Sequence, residues 1–123
     1  MDTNENAKAL AEKIVKILDG HKAGDIKLYA VAEKTIIADY YVLCTGSSNT
    51  QVRGFEDEVE YKLGLEGISP ARVEGSDTAL WIVMDYSSVM VHIFNSESRK
   101  YYNLDNLLSD TEEIDISAII TEN

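Results

Sequence analysis

The chain is poor in cysteine and in positive charge, and each shortage excludes something. Cys44 is the only cysteine in 123 residues, so neither an intrachain disulfide nor a cysteine-based metal cluster can form. It lies inside an apolar strand pattern, where a buried inert thiol is expected rather than a nucleophile. Lysine and arginine number 11 against 22 acids, for a net charge of -11. Such a chain repels phosphate backbones, which argues against direct DNA or RNA binding through a basic surface. It is steered instead toward basic proteins, such as those bound to nucleic acid, although acidity also serves plain solubility. No apolar run approaches the roughly 18 residues of a membrane span. The start, Met1-Asp2-Thr3-Asn4-Glu5, lacks the basic and apolar parts of a secretory signal and the arginines of a transit segment. A soluble, cytoplasmic protein with no membrane contact is expected.

What is present suits a single domain. Hydrophobic residues make up 45% of the chain, enough for one ordinary core. Ala7, Leu10, Ala11, Ile14 and Leu18 follow helical spacing, so a helix is expected from about Asn4 to Leu18, ending at Asp19-Gly20. Ile26 to Val31 alternates like a strand, and Tyr40 to Thr45 reads as a strand buried on both faces. Ser48 and Gln51 have capping-box spacing, and Val52, Phe55, Val59 and Leu63 form the inner stripe of a second helix that Gly64 can stop. Ala71 to Val73, Leu80 to Asp85 and Val89 to Phe94 are further strands, and Asn95 to Ser109 holds one or two short helical turns. This order predicts an α/β domain over residues 1–110, with a mixed sheet of about five strands flanked by helices. After Lys100 no base remains, so an acidic, loosely ordered tail is expected over 111–123, with Ile114, Ile116, Ile119 and Ile120 as its means of docking.

The segment from Glu74 to Tyr102 is the most distinctive. Asp85-Tyr86-Ser87-Ser88-Val89 joins two strands, and side chains alternate between faces with period two. An even loop puts Leu80, Ile82, Met84, Val89, Val91 and Ile93 on one aliphatic face. The other face then carries Trp81, Val83, Asp85, Met90, His92 and Phe94, with Trp81 opposite His92 or Phe94. That mixed face has two readings. Trp81 and Phe94 can pack under another element, with His92 hydrogen-bonded to Asp85 or to the backbone. Alternatively the face is a contact surface, since Trp, Tyr, Met and Arg anchor interfaces. The tyrosine pairs Tyr40-Tyr41 and Tyr101-Tyr102 lean toward contact.

Two separated signatures carry a family resemblance. The first is Asp39-Tyr40-Tyr41-Val42-Leu43-Cys44-Thr45-Gly46-Ser47-Ser48. The second is Glu74-Gly75, Trp81, Asp85, Val91-His92-Ile93-Phe94, Arg99, Tyr102 and Leu104. In order and spacing the chain resembles the Iojap/RsfS family of ribosomal silencing factors from about Lys8 to Leu108. The resemblance implies a nucleotidyltransferase-like fold without the catalytic apparatus. It implies binding to the large ribosomal subunit through ribosomal protein L-fourteen. Subunit joining would then be blocked sterically, and translation repressed when nutrients are scarce. It also implies a homodimer when free. The chain departs from the family pattern at Ser87-Ser88, where Gly-Asp is common, and at Asp105 and Leu108, where Glu and then Trp are common.

An enzyme is the competing class. Gly46-Ser47 followed by Glu56, Asp57, Glu58 and Glu60 superficially resembles a nucleotidyltransferase glycine-serine with metal-binding acids. Those acids interleave with Phe55 and Val59 on an amphipathic helix, which directs them to solvent. His92, Asp85 and Ser87 or Ser88 are triad residue types, but the chain has no nucleophile elbow. Gly46-Ser47-Ser48 lacks the spacing and the lysine of a phosphate-cradling loop. His21 lies in a polar loop and is expected to be exposed. No catalytic residue, cofactor or metal is expected. The residues assigned to partner contact are Glu74, Trp81, Asp85, Met90, His92, Phe94, Arg99 and Tyr102. Trp81 is the apolar anchor, Glu74 and Asp85 supply negative charge, and the others frame the patch or hold it. Gly75 allows a backbone turn, while Asp39 and Thr45 to Ser48 shape the strand-to-helix corner. The remaining alternatives are a nucleotide-handling enzyme of the same fold and an adaptor for another basic protein.

Overall fold

The computed structural model describes residues 3–120. Helix α1 (Thr3–Gly20) leads to strands β1 (Gly24–Ala30) and β2 (Tyr40–Gly46), then to helix α2 (Asn49–Gly64). Strands β3 (Arg72–Glu74), β4 (Trp81–Asp85) and β5 (Val89–Asn95) follow. The chain continues with helices α3 (Ser96–Tyr102) and α4 (Leu104–Leu107) and strand β6 (Glu112–Ile114). The sheet order is β3-β4-β5-β2-β1-β6. Only β2 and β5 at its centre are parallel, and α2 with the β3–β4 hairpin makes the crossover between them.

Helix α2 begins where the Ser48 side-chain oxygen accepts from Gln51 N at 3.1 Å. Gln51 turns back to Ser47 rather than to Ser48, so the cap is a box displaced by one residue. Val52, Phe55, Val59 and Leu63 are buried, as the helical period requires. Together with Ala11, Ile14, Val15 and Leu18 of α1 they cover one sheet face, formed by Leu28, Val42, Cys44, Ile82, Met84, Val91 and Ile93. Leu80 was expected on this face but precedes β4 and is exposed.

The opposite face is covered only in part. Tyr29, Val31, Leu43, Phe94 and Leu108 form a second, smaller cluster there, edged by Tyr41, Trp81 and Leu104. Leu108 thus fills a core position in this cluster. The β4–β5 register pairs Trp81 with Phe94, Val83 with His92 and Asp85 with Met90. Tyr86 N donates to Val89 O, which leaves Ser87-Ser88 as a two-residue turn. The loop is therefore even, and the expected partition of the hairpin into two faces holds. Ser87 takes φ +70, a conformation glycine adopts without cost.

The segment expected to hang loosely after residue 110 instead supplies a sixth strand. Leu28, Tyr29 and Ala30 of β1 pair with Ile114, Glu113 and Glu112. Ile116 is buried, and Ile114, Ile119 and Ile120 pack against the helix-side core. The free edge of β1 provides the hydrogen bonds, and the isoleucines anchor a strand whose composition alone would not hold it.

Candidate protein-interaction surface

The half-buried indole of Trp81 is the centre of the open face. Its ring stacks on Phe94 with centroids 5.0 Å apart and meets Tyr102 at 4.8 Å. Tyr101 stands edge-on to Tyr102 at 5.0 Å. Trp81 Nε1 donates to His92 Nδ1 at 3.1 Å. That bond leaves the proton of a neutral imidazole on Nε2, a buried atom with no partner among the described residues. Tyr41 covers the same imidazole with centroids 4.6 Å apart. Burial pushes the His92 pKa down to about 4, so the ring is neutral near pH 7.

This corrects the sequence expectation for the partner of His92. Its partner is the indole, not Asp85 or the backbone. Its side chain is enclosed, so of the two expected roles, framing the patch or holding it, the buried position suits holding. Phe94 and Arg99 are likewise buried and belong to the support. Asp85 is half-buried, and its carboxylate accepts from Ser87 N at 2.8 Å, closing the hairpin turn. Met90 is half-buried and paired with Asp85. Those two lie at the far end of the hairpin, four residues from Trp81 along β4, or about 13 Å at the rise of a strand. Glu74 is exposed on edge strand β3, where it meets Arg72 at 3.6 Å. Of the eight assigned residues, the structure brings together Trp81, His92, Phe94 and Tyr102, with Arg99 beneath Phe94 at 6.0 Å. Glu74, Asp85 and Met90 lie to one side. The nearby exposed Leu80 and Tyr101 and the half-buried Val83 and Tyr41 had not been assigned. Alternation places Val83 and Tyr41 on this face, and that signal was available in the sequence.

Arg99 explains how α3 is held. Its guanidinium forms two bonds to Asp105, at 2.7 and 3.0 Å, and donates to Asp25 O and the Thr45 hydroxyl. Tyr29 donates its hydroxyl to the same Asp105 carboxylate at 2.9 Å. Between them Asn103 adopts φ +50, turning the chain from α3 to α4. The hydrogen bonds from Arg99 hold the Asp105 carboxyl below the usual carboxylate range. Burial, then the bond to Asp105, raises the Tyr29 phenol above its ordinary value. Removing Asp105 leaves a buried guanidinium short of its partner. Asp105→Ala is expected to cost about 2 kcal/mol by chemical denaturation, below the fully buried case because the Asp105 side chain keeps 30% of its exposure.

These groups also contribute to the acid dependence of stability. His92 has its pKa lowered on folding, so the unfolded chain binds more protons between about pH 4 and its ordinary value. Stability therefore rises with pH across that window, by at most about 1.4 kcal/mol per unit from this residue. Asp105 adds stability that is complete above the ordinary carboxylate pKa and is lost as pH falls through its depressed value. Denaturant titrations at stepped pH should show the slope, and His92→Phe should flatten its upper part.

The acids of α2 do not converge. Glu56 accepts from the Ser76 hydroxyl at 2.7 Å, Glu58 meets Lys62 and His21, and Asp57 and Glu60 are exposed. Among the described residues no three His, Cys, Asp or Glu side chains are placed to hold a metal ion. Cys44 is fully enclosed, and burial raises its thiol to about 12, far from a reactive thiolate. Among the described residues no helix is long and apolar enough to cross a membrane.

Comparison with known proteins agrees with the geometry. The family model for "Ribosomal silencing factor during starvation" matches residues 4–123. The chain is 32% identical over 111 residues to the ribosomal silencing factor RsfS of Bacillus subtilis, covering 90% of this chain and 94% of that one. It is 36% identical over 99 residues to RsfS of Haemophilus influenzae, covering 80% and 97%. A crystal structure of a Chromobacterium violaceum protein superposes with a TM-score of 0.78 at 27% identity, covering 91% and 90%. The aromatic hairpin face, the buried Arg99 and the mixed α/β sheet are thus features of a chain that belongs to the ribosomal silencing factor (RsfS) family.

Proposed function

We propose that the chain represses translation by binding the large ribosomal subunit through ribosomal protein L-fourteen, where it blocks joining of the small subunit. It acts by occlusion and performs no chemistry. The observation that carries this reading is an indole left half-open beside Tyr101 and Tyr102 on the partly covered sheet face of an acidic domain. Large aromatics with one face free are the usual anchors of protein interfaces. The charge of -11 suits a basic ribosomal protein and opposes direct docking on ribosomal RNA. Trp81 is the anchor, Tyr102 its wall, and Glu74 and Asp85 face lysines or arginines of the partner. His92, Phe94 and Arg99 hold the anchor from beneath. The free protein is a homodimer, and it acts in the compartment that holds ribosomes.

The reading is tested by sedimenting the purified protein with separated ribosomal subunits. It should travel with large subunits and not with small ones, and isolated L-fourteen should compete for it. Sedimentation with neither subunit would overturn the proposal.

A further inference from the structure

The chain enters β4 through a loop, residues 75–80, whose backbone is unusual at both ends. Gly75 has φ +92 and Ala79 has φ +58, a region that L side chains avoid. Ala79 is fully buried and donates its N–H to Gly75 O at 2.9 Å. Such a conformation persists only where its surroundings over-determine it. The surroundings here are side chains of α2. Arg53 Nε donates to Ser76 O at 3.0 Å, and its Nη2 donates to Asp77 O at 2.7 Å. One turn further, Glu56 accepts from the Ser76 hydroxyl at 2.7 Å. The loop ends at Leu80, and Trp81 opens β4 directly after it.

We propose that Arg53 is a positioning residue for the docking surface: by tying the carbonyls of Ser76 and Asp77 to α2, it fixes where the Trp81 indole stands. The inference rests on the reading of Trp81 as the anchor. Arg53 itself is solvent-exposed and lies outside the aromatic patch, and its planar fork is suited to hold two adjacent carbonyls at once. Interface anchors gain affinity when they are set before binding, because their ordering is then not charged to the complex. The tie links the face of α2 away from the core to the only tryptophan of the chain.

Charge makes the test discriminating. Arg53→Ala makes an already acidic protein more acidic, which strengthens its long-range attraction to a basic partner. A fall in affinity therefore runs against the charge change toward the basic protein, and Arg53→Lys, which keeps the charge, separates the lost tie from repulsion by ribosomal RNA. In Arg53→Ala, large-subunit binding by sedimentation should weaken about tenfold, while the thermal midpoint drops by only a few degrees. Trp81 fluorescence of the free protein should move to longer wavelength as the indole loosens toward water. Arg53→Lys, which keeps the charge and one donor, should lie between wild type and Arg53→Ala in both measurements. Lys62→Ala on the same helix should change neither. An Arg53→Ala protein with unaltered emission, or one that binds within twofold of wild type, would overturn the inference. The emission is read without ribosomes, so a wild-type chain that fails to bind large subunits would sink the proposed function while the emission still decides whether Arg53 sets the indole.

Discussion

Trp81→Ala is expected to weaken large-subunit binding by about thirtyfold or more, equivalent to about 2 kcal/mol, while the domain stays folded. The two effects separate because of where the indole sits. It is half-exposed, so its truncation removes only part of a core contact, chiefly the stack on Phe94. The main helix-side cluster does not include it. The variant does leave His92 Nδ1 without its donor, which should cost about 1 kcal/mol of stability. Trp81→Phe isolates that bond. It keeps an aromatic on Phe94 and beside Tyr102 but lacks the N–H. If the anchor acts by area and stacking, Trp81→Phe should retain most of the affinity and show the same loss of the His92 bond. Equilibrium sedimentation with large subunits and urea unfolding, run on the same preparations, separate the two quantities.

Gly75→Ala, unlike Trp81→Ala, should cause a large loss of stability, from a single methyl group. A Cβ at Gly75 would stand 2.1 Å from Trp81 O and 3.1 Å from Trp81 C. Both are backbone atoms at the start of β4, so no side chain can swing away to make room. The position also has φ +92, which penalises any L side chain even in open space. Relief requires β4 to move, and β4 is held by β3 on one side and β5 on the other. A cost of about 3 kcal/mol is expected, near the upper end for one substitution. Thermal unfolding should show a fall of about 10 °C in midpoint for a domain of this size. Binding should fall as well, because the atom that collides belongs to the anchor residue. A variant of wild-type stability would mean that the loop takes another path.

Much of the fold was legible because it rests on periodicity. The buried stripe Val52, Phe55, Val59 and Leu63 is the same set in sequence and structure. The two faces of the β4–β5 hairpin followed from parity once the turn had an even length. What could not be read was non-local. Strand β6 has three residues, two of them acidic, and exists because β1 offers a free edge. Nothing in Glu112–Ile114 alone announces it.

The candidate site was legible as a group of residues but not in its layers. Alternation places Trp81, His92 and Phe94 on one face. It does not say that α3, pinned through Arg99 and Asp105, lies over Phe94. Nor does it say that the Trp81 N–H would turn to His92, leaving Asp85 to close its own turn. The buried support and the exposed contact thus share a sequence signature, and only the covering helices divide them. Asp105 shows the same limit. It was visible as a departure from the family pattern, yet its service to Arg99 and Tyr29 depends on the turn at Asn103.

On the proposed reading, the half-open aromatic face makes this domain a wedge between ribosomal subunits. The most direct test follows light scattering as purified small and large subunits associate after the protein has been added to the large ones. Wild-type protein should suppress association in proportion to the large subunits it occupies, and Trp81→Ala at the same concentration should restore most of the signal. Association at full rate with wild-type protein bound, or equal suppression by Trp81→Ala, would contradict that reading.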